Sequence, residues 1–172
     1  MRIYLVGYMG SGKTTLGREL AEVLGLNFID LDKFIEAKYF KTISQIFDES
    51  GEDDFRKKEH DCLKEVSEYE NVVIATGGGV PCFFNNIDIM NHTGACIFLD
   101  ISPEVLVERL AKAGNERPLV EGKSKEELTE LVHEMLVKRR PFYLNARYIV
   151  TSDNITTSDL LAQFLEAGHG QT

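Results

Sequence analysis

Residues that could bind a phosphate group stand together near the N-terminus. The run Gly7-Tyr8-Met9-Gly10-Ser11-Gly12-Lys13-Thr14 fits the pattern G-x-x-x-x-G-K-[ST]. Glycines let successive backbone N–H groups turn inward around an anion, and a following helix adds unpaired donors and the positive end of its dipole. A glycine-rich turn that matches by accident is the alternative. The pattern predicts a phosphate loop whose nucleotide-binding residues are Gly10, Ser11, Gly12, Lys13, Thr14 and Thr15.

Within this loop, Lys13 is expected to supply a point charge for the outer phosphates, and the Thr14 hydroxyl to ligate a magnesium ion. The flanking residues support the motif. Arg2–Val6 is short, apolar and rich in β-formers, which predicts a buried parallel strand. Leu16, Leu20, Val23 and Leu24 recur at helical spacing, as the helix after a phosphate loop requires.

Two carboxylates follow the second apolar segment, in Asp30-Leu31-Asp32. Alternation along a strand places both on one side of the chain, at the end where the phosphate loop lies. Phosphoryl transfer needs magnesium near the phosphates and a group that orients the attacking nucleophile, and two nearby acids can divide these roles. The alternative is that they are turn or cap residues, with Asp32 capping a helix that starts at Lys33.

Arg56 and Glu59 lie three residues apart in a helical segment and are therefore neighbours on its surface. An arginine held by a glutamate can present its guanidinium group to a substrate carboxylate. A surface ion pair, which contributes little to stability, is the more frequent arrangement and stays open here.

Three other groups of residues lie where a ligand can approach. Gly77–Gly79 follow the third apolar segment and expose backbone to close approach, although a flexible turn would look the same. Arg117 lies in a polar loop, where it can neutralise charge on a transferring phosphoryl group or be an ordinary solvated arginine. Lys138-Arg139-Arg140 ends a predicted helix, where cations are also favourable with the helix dipole.

These residues need a scaffold, and alternating strand and helix patterns predict one. The predicted strands are Ile3–Val6, Phe28–Leu31, Val72–Thr76, Ala95–Leu99 and Tyr148–Thr151. Each is followed by a helical pattern, which predicts an α/β fold with a parallel sheet and right-handed crossovers. Ligands of such folds collect beyond the carboxyl ends of the strands, where the candidate residues lie.

Two regions interrupt this alternation. Residues 32–69 form a helical excursion between the second and third strands, longer than one crossover needs. Residues 112–124 are polar, contain glycine and proline and lack apolar periodicity, which predicts an exposed loop and a candidate lid. Capping-box pairs predict helix starts after Thr42 and Ser124.

Composition limits the class of protein. The chain has 172 residues, 43% of them hydrophobic and 27% charged, which predicts one globular domain spanning 1–172. Its net charge of −9 argues against a nucleic-acid partner. Cys62, Cys82 and Cys96 lie apart without a C-x-x-C pair, which suits a reducing compartment. Since neither a membrane span nor a signal peptide is visible, the expected location is the cytoplasm.

Taken together, these residues resemble the shikimate kinase family of phosphate-loop small-molecule kinases. The matching motifs occur in order: the phosphate loop, the pair Asp30 and Asp32, G-E-x-x-F-R-x-x-E at Gly51–Glu59, Gly77–Gly79, R-P-L at Arg117–Leu119, and R-x-P-x-Y at Arg139–Tyr143. The resemblance implies a doubly wound five-stranded parallel sheet of the nucleoside monophosphate kinase type, with a substrate-binding excursion and a lid. It also implies that ATP and shikimate react to ADP and 3-phosphoshikimate, with Mg²⁺ as cofactor.

The resemblance implies a role for each matched residue. Asp32 binds the attacking hydroxyl and helps to remove its proton, and Asp30 organises magnesium through water. Arg56 and Arg139 hold the shikimate carboxylate, with Glu59 holding Arg56. The remaining implied roles are backbone approach to the substrate ring by Gly77, Gly78 and Gly79, stabilisation of phosphoryl charge by Lys13 and Arg117, and magnesium contact by Thr14.

Four places fit the family less well. The family often stacks adenine on an arginine before the lid, and here the nearest candidate is Lys112, in a shortened segment. Ser152–Asn154, on the expected adenine side, is not diagnostic. A register shift of one residue would give the carboxylate role of Arg139 to Arg140. No family role attaches to Cys82–Phe84.

Two other functions stay open at this point. One is another small-molecule kinase of the same fold, such as a gluconate kinase; two arginines suit a cyclic carboxylate with hydroxyls, whereas a nucleotide acceptor needs a base pocket. The other is a regulatory nucleotide-binding module without catalysis, which should lack Asp32 or Lys13, and both are present. The expected partners are ATP and shikimate, and the chain is expected to act as a monomer.

Overall fold

The chain forms a five-stranded sheet in the computed structural model, which describes residues 1–113 and 120–168. All strand pairs are parallel, and the strand order is β2-β3-β1-β4-β5. The strands are β1 Arg2–Val6, β2 Asn27–Asp30, β3 Val72–Ala75, β4 Ala95–Asp100 and β5 Tyr148–Thr151. The strand that leads into the phosphate loop therefore lies at the centre of the sheet.

Helices connect the strands and cover both faces of the sheet. Within the described residues they are α1 Lys13–Leu24, α2 Leu31–Tyr39, α3 Ile43–Val66, α4 Asn86–Thr93, α5 Pro103–Ala113, α6 Lys125–Tyr143 and α7 Thr157–Gly168. The strand order and right-handed crossovers put α1 on one face and α3 to α6 on the other, and α7 packs beside α1 on the first face. Contacts of α1 with α7, α3 with α4 and α5 with α6 agree with this arrangement. The predicted doubly wound parallel sheet is confirmed.

The core explains the apolar runs of the central strands. Ile3–Val6 of β1 and Val72–Ala75 of β3 are buried throughout, because helices cover both faces of the sheet. On α6, Leu128 and Val132 enter the core as their spacing predicts. Val23 does not join the buried side of α1 and is 62% exposed, so its assignment to the apolar stripe was wrong.

Local sequence sets several helix starts. The Thr42 hydroxyl accepts a hydrogen bond from the Gln45 backbone N–H at 3.1 Å, and the Gln45 side chain accepts one from the Thr42 N–H at 2.8 Å. Ser124 and Glu127 form the same reciprocal pair at the start of α6. Both predicted capping boxes are present.

The stretch 32–69, the expected excursion, contains α2 and α3. α3 is bent at Gly51, whose φ of 80° and ψ of 177° are not helical and lie in a region that glycine tolerates. The segment after the bend carries Arg56 and Glu59, and its inner side is anchored by buried residues such as Leu63. The bend thus separates the N-terminal part of α3 from the part that bears these two charged side chains.

The second strand ends one residue earlier than predicted. β2 stops at Asp30 and α2 begins at Leu31, not at Lys33. Asp30 is the N-cap, because its carboxylate accepts a hydrogen bond from the Lys33 N–H at 3.2 Å. The alternative in which Asp32 caps a helix that starts at Lys33 is therefore wrong. Strand alternation is also the wrong reason for the proximity of the two carboxylates, since Asp32 lies in the first turn of α2.

The predicted lid, residues 112–124, is described only at its ends. Residues 114–119, with Arg117, lie outside the described part of the chain, between the end of α5 and Val120. No helix in the described part of the chain combines the length and apolar character that crossing a lipid bilayer requires.

Candidate active site

The phosphate loop lies at the carboxyl end of β1, and two of its positions require glycine. Gly10 has φ 82° and Gly12 has φ 93°, values that other residues rarely adopt. Because α1 begins at Lys13, its first N–H groups have no helical partner and are available to an anion. The local sequence thus builds an anion site at the centre of the sheet edge.

Lys13 is held at this loop. Its ammonium nitrogen Nζ donates to the carbonyl oxygens of Gly7 at 2.7 Å and Tyr8 at 2.9 Å. It also lies 3.4 Å from Ser11 Oγ. These contacts keep a positive charge beside the glycines of the loop.

A cavity of about 650 Å³ opens beside the phosphate loop. α1, α2, α3, the turn after β3 and α6 all contribute to its lining. The predicted site residues that line it are Gly10, Gly12, Lys13, Thr14, Thr15, Asp30, Asp32, Arg56, Glu59, Gly77, Gly78, Gly79 and Arg139. Residues more than 100 positions apart in the chain therefore share one cavity.

The three glycines after β3, Gly77–Gly79, form a turn that makes room for three side chains. A Cβ atom on the first would lie 2.9 Å from Asp32 Oδ1, and one on the second 3.2 Å from Arg139 Nη1. A Cβ atom on the third would lie only 2.5 Å from Arg56 Nη1. None of the three has a positive φ, so space rather than backbone conformation requires glycine here.

The Arg56 guanidinium is held inside the protein by acidic side chains of its own helix. Its Nη1 donates to Glu59 Oε1 at 2.8 Å, and longer contacts of 3.4 and 3.5 Å reach Glu52. The Arg56 and Glu59 side chains are 10% and 1% exposed. This is not the ordinary surface pair that the sequence left open. Burial raises the pKa of Glu59 to about 7, against the opposing effect of Arg56.

α6 places two adjacent arginines in different surroundings. Arg139 lines the cavity, and its guanidinium carbon lies 5.9 Å from the centre of the Tyr8 ring. Arg140 points to Asp100 instead, with Nη2 2.9 Å from Oδ2. Of the two arginines that the sequence left open for the carboxylate role, Arg139 therefore lies in the cavity and Arg140 forms a salt bridge outside it.

The end of α6 is tied to the glycine turn by Tyr143. This buried tyrosine donates its hydroxyl proton to the Gly78 carbonyl oxygen at 2.5 Å. Burial raises the pKa of the Tyr143 hydroxyl, so it stays protonated and remains a donor. The bond fixes the position of Arg139, one turn earlier, relative to the glycines.

The acidic end of the cavity contains Thr14, Asp30 and Asp32. Thr14 Oγ1 donates to Asp30 Oδ2 at 3.1 Å, so a hydroxyl and a carboxylate oxygen lie together at the first turn of α1. Burial raises the pKa of Asp32, and the nearby Asp30 charge adds to the rise while Lys13 opposes it. In the described ranges no cluster of three His, Cys, Asp or Glu side chains forms a metal site. Mg²⁺ needs no such cluster, because it keeps several waters and phosphate ligands.

Comparison with known proteins identifies the family. The family model described as "Shikimate kinase" matches residues 9–168. A shikimate kinase of Phocaeicola vulgatus is 52% identical over 154 residues, which cover 90% of this chain and 88% of the relative. The chain belongs to the shikimate kinase family. The resemblance recognised in the sequence is confirmed, and the chain is an ATP-dependent phosphotransferase with an alcohol acceptor.

Two solved shikimate kinases share the fold. The crystal structure from Bacteroides thetaiotaomicron is 46% identical in sequence and has a TM-score of 0.91. The match covers 96% of this chain and 98% of that one. The structure from Acinetobacter baumannii, described as a complex with shikimate, is 34% identical with a TM-score of 0.85. There the match covers 99% of this chain and 94% of that one. The nucleoside monophosphate kinase type of fold expected for a shikimate kinase is therefore confirmed.

A second cavity, of about 540 Å³, borders the phosphate loop of this shikimate kinase family member. Ser11 and Thr15 line it, together with Arg109 and residues 155–158 of the segment that leads into α7. Lys112, the predicted adenine contact, is exposed near the end of α5 and lines neither of these two cavities. Its predicted role is not tested by this placement.

Arg109 is a site residue that the sequence interpretation missed. Its guanidinium donates to the Gly10 carbonyl at 3.2 Å and to the Asp153 carbonyl at 3.0 Å, which ties the phosphate loop to the loop after β5. Its position three residues before Lys112, on the same side of α5, was the available signal. Arg117 lies outside the described residues, so its role stays a prediction.

The buried Glu59 predicts a pH dependence of stability. Between the ordinary pKa of 4.5 and about 7, Glu59 is ionised in the unfolded chain and protonated in the folded one. Rising pH therefore favours unfolding across this window, by at most about 1.4 kcal/mol per pH unit. We expect the unfolding free energy of the wild type to fall with pH relative to that of Glu59→Gln and then to level off. Urea denaturation of both proteins at several pH values measures this, and a constant difference would contradict the raised pKa.

Proposed function

We propose that this chain transfers the γ-phosphate of ATP to the 3-hydroxyl of shikimate, giving ADP and 3-phosphoshikimate. The observation that carries the proposal is the convergence of a phosphate loop, the buried carboxylate of Asp32, and two arginines, Arg56 and Arg139, on one cavity. Family membership supports it, and so does the shikimate complex of the relative from Acinetobacter baumannii. The two arginines favour a carboxylate-bearing acceptor over the neutral or nucleotide acceptors of other kinases.

On the nucleotide side, the phosphate loop binds the ATP phosphates through backbone N–H groups and the start of α1. Lys13 stabilises negative charge on the transferring phosphoryl group, and Arg117 joins it from the lid. Lys112 contacts the adenine side, near the cavity that Arg109 borders. The residues assigned to ATP are Gly10, Ser11, Gly12, Lys13, Thr14, Thr15, Lys112 and Arg117.

A magnesium ion fits the donors at the first turn of α1. The adjacent oxygens of Thr14 and Asp30 are hard ligands of the kind Mg²⁺ prefers. Thr14 would contact the ion directly, and Asp30 would act through water. When bound, Mg²⁺ neutralises charge on the nucleotide phosphates.

On the acceptor side, Asp32 orients the attacking hydroxyl and accepts its proton. Burial raises its pKa, which makes it a stronger base than an ordinary aspartate. Arg56 and Arg139 bind the shikimate carboxylate, and Glu59 keeps Arg56 in place. Gly77, Gly78 and Gly79 bring backbone close to the substrate ring.

The chain is proposed to work alone, as one kinase domain spanning residues 1–172, with the excursion at 32–69 and the lid at 112–124. A net charge of −9 disfavours nucleic acid as a partner. The cysteines Cys62, Cys82 and Cys96 are free, which agrees with activity in the reducing cytoplasm.

The direct test is a coupled assay of ADP release. We expect folded protein to consume ATP only when both shikimate and Mg²⁺ are present, because the cavity must hold the acceptor before transfer occurs. Gluconate is the control acceptor and should give no turnover. Absence of shikimate-dependent ADP release from folded protein would reject the proposed reaction, and turnover with gluconate alone would favour the rival kinase.

Substitution of the cavity arginine should separate the two substrates. We expect Arg56→Ala to weaken shikimate binding by about 2–3 kcal/mol, roughly 30- to 150-fold in the dissociation constant, because a charged hydrogen-bonded contact is lost. ATP affinity should stay nearly unchanged in calorimetric titrations. Arg140→Ala is the matched control and should change neither affinity, since Arg140 pairs with Asp100 outside the cavity. An equal loss of both affinities in Arg56→Ala would contradict the assignment.

Asp32→Asn should depress turnover rather than binding. Loss of the base is expected to lower kcat by about 10²–10⁴-fold, with smaller changes in both dissociation constants. In the wild type, kcat should fall as the pH drops through the raised pKa of Asp32, because the protonated carboxyl cannot accept the hydroxyl proton. Steady-state rates across the acid range measure this limb, which Asp32→Asn should lack. Unchanged turnover in the variant would remove Asp32 from the mechanism.

A further inference from the structure

The segment Cys82–Phe84, directly after the glycine turn, has no role in the reaction as described so far. Cys82 ends a single 3-10 turn, Val80–Cys82. The next two residues, Phe83 and Phe84, lie against Arg56 and His60, which are one turn apart on α3. The centre of the Phe83 ring lies 4.2 Å from the guanidinium carbon of Arg56. The centres of the Phe84 and His60 rings lie 4.8 Å apart, and the angle between the ring planes is 34°. The first of these contacts reaches a residue that lines the cavity.

The Arg56 guanidinium lies over the face of the Phe83 ring, while acidic side chains accept hydrogen bonds from its N–H groups. The centre of the Phe55 ring lies 5.1 Å from the same guanidinium carbon, so Phe83 is the closer of the two rings. A guanidinium has five N–H donors, and the contacts to Glu59 and Glu52 use three of them, one each on Nη1, Nε and Nη2. Among the residues that the structure describes, no acceptor engages the second donor on either terminal nitrogen. Two such donors match the two oxygens of one carboxylate.

The Glu59 bond alone does not set the plane in which these two donors lie. The 2.8 Å contact fixes one edge of the guanidinium, and the Glu52 contacts are long and come from a side chain that is 56% exposed. An aromatic ring under the group attracts its charge and restricts its movement without using a donor. Phe83 therefore complements Glu59, because the ring attracts the charge of the guanidinium while Glu59 accepts one of its hydrogen bonds.

The segment that carries Phe83 is itself anchored. The fully buried Asn86 donates from Nδ2 to the Val80 carbonyl at 2.9 Å, and its Oδ1 lies 2.6 Å from Nδ1 of His60. The Asn86 N–H also donates to the Phe83 carbonyl at 3.3 Å. The Phe83 ring thus projects from a backbone that is tied to the helix bearing Arg56.

We propose that Phe83 is a positioning residue for recognition of the acceptor carboxylate. Its ring holds the Arg56 guanidinium in the plane that presents two free donors to the carboxylate before the acceptor arrives. Ordering the arginine in advance reduces the entropy lost on binding, so the effect falls on acceptor affinity. The proposal rests on the proposed function and extends it by assigning specificity for a carboxylate to a neighbour that does not touch the substrate.

The test compares kinetic constants of three variants. Phe83→Leu keeps an apolar side chain but removes the aromatic face, and we expect it to raise the KM and dissociation constant for shikimate about fivefold to tenfold. The KM for ATP, and kcat at saturating shikimate, should stay unchanged. Phe83→Tyr retains the ring face and should restore wild-type values. Phe84→Leu is the matched control, because it removes the neighbouring ring from His60 and should leave the shikimate constants unchanged.

A binding measurement distinguishes positioning from a general loss of structure. A shikimate analogue whose carboxylate is replaced by a neutral hydroxymethyl group should bind wild type and Phe83→Leu with equal, weak affinity. If Phe83→Leu unfolds, Phe83→Met supplies the same comparison with a flexible apolar side chain. Equal loss of ATP and shikimate affinity, equal loss for the analogue, or the same effect in Phe84→Leu would overturn the proposal. Wild-type protein without shikimate-dependent turnover would overturn the proposed function as well, whereas active wild type with an unchanged Phe83→Leu would overturn this inference alone.

Discussion

The site depends on the absence of side chains at Gly77–Gly79. Asp32 of α2, Arg56 of α3 and Arg139 of α6 each approach one of these glycines closely enough that a Cβ atom would contact or displace it. Three helices from different parts of the chain therefore each place one charged side chain against the turn that follows β3. Because this turn and the phosphate loop line the same cavity, the three charged side chains lie close to the glycines of the loop.

Charge in this protein is distributed unevenly. The chain as a whole carries −9, yet Lys13, Arg56 and Arg139 converge on one cavity. Bringing cations together costs free energy unless each is held by an acidic or carbonyl partner, and the loop carbonyls and Glu59 provide such partners. The burial that strengthens these contacts also raises the pKa values of Glu59 and Asp32. The same desolvation thus orders the arginine and increases the basicity of the aspartate.

The sequence predicted the sheet, its parallel strands and the gathering of the candidate residues at the carboxyl ends of the strands, because periodicity and motif spacing are local properties of the chain. The predicted boundaries of helices and strands, and the physical reasons given for the placement of some residues, were less accurate. Asp30 proved to be the helix cap rather than Asp32, since α2 begins two residues earlier than expected. The three glycines were interpreted as backbone open to a ligand, whereas the structure adds that they clear space for three side chains. Arg109 escaped notice, and Cys82–Phe84 was noted without a role, because the partners of Arg109 and Phe83 lie far away in sequence.

What the sequence determined by itself was the chemistry that is available: a phosphate loop, paired carboxylates and a family assignment, each of which follows from residue types at fixed short spacings. What only the tertiary structure decided was which alternative applies at each of these positions. Whether Arg56 and Glu59 form a surface pair or a buried one depends on how α3 packs after its bend at Gly51, and no local pattern contains that information. Whether Arg139 or Arg140 enters the cavity depends on the rotation of α6, which the Tyr143 bond to Gly78 and the salt bridge to Asp100 establish across the fold.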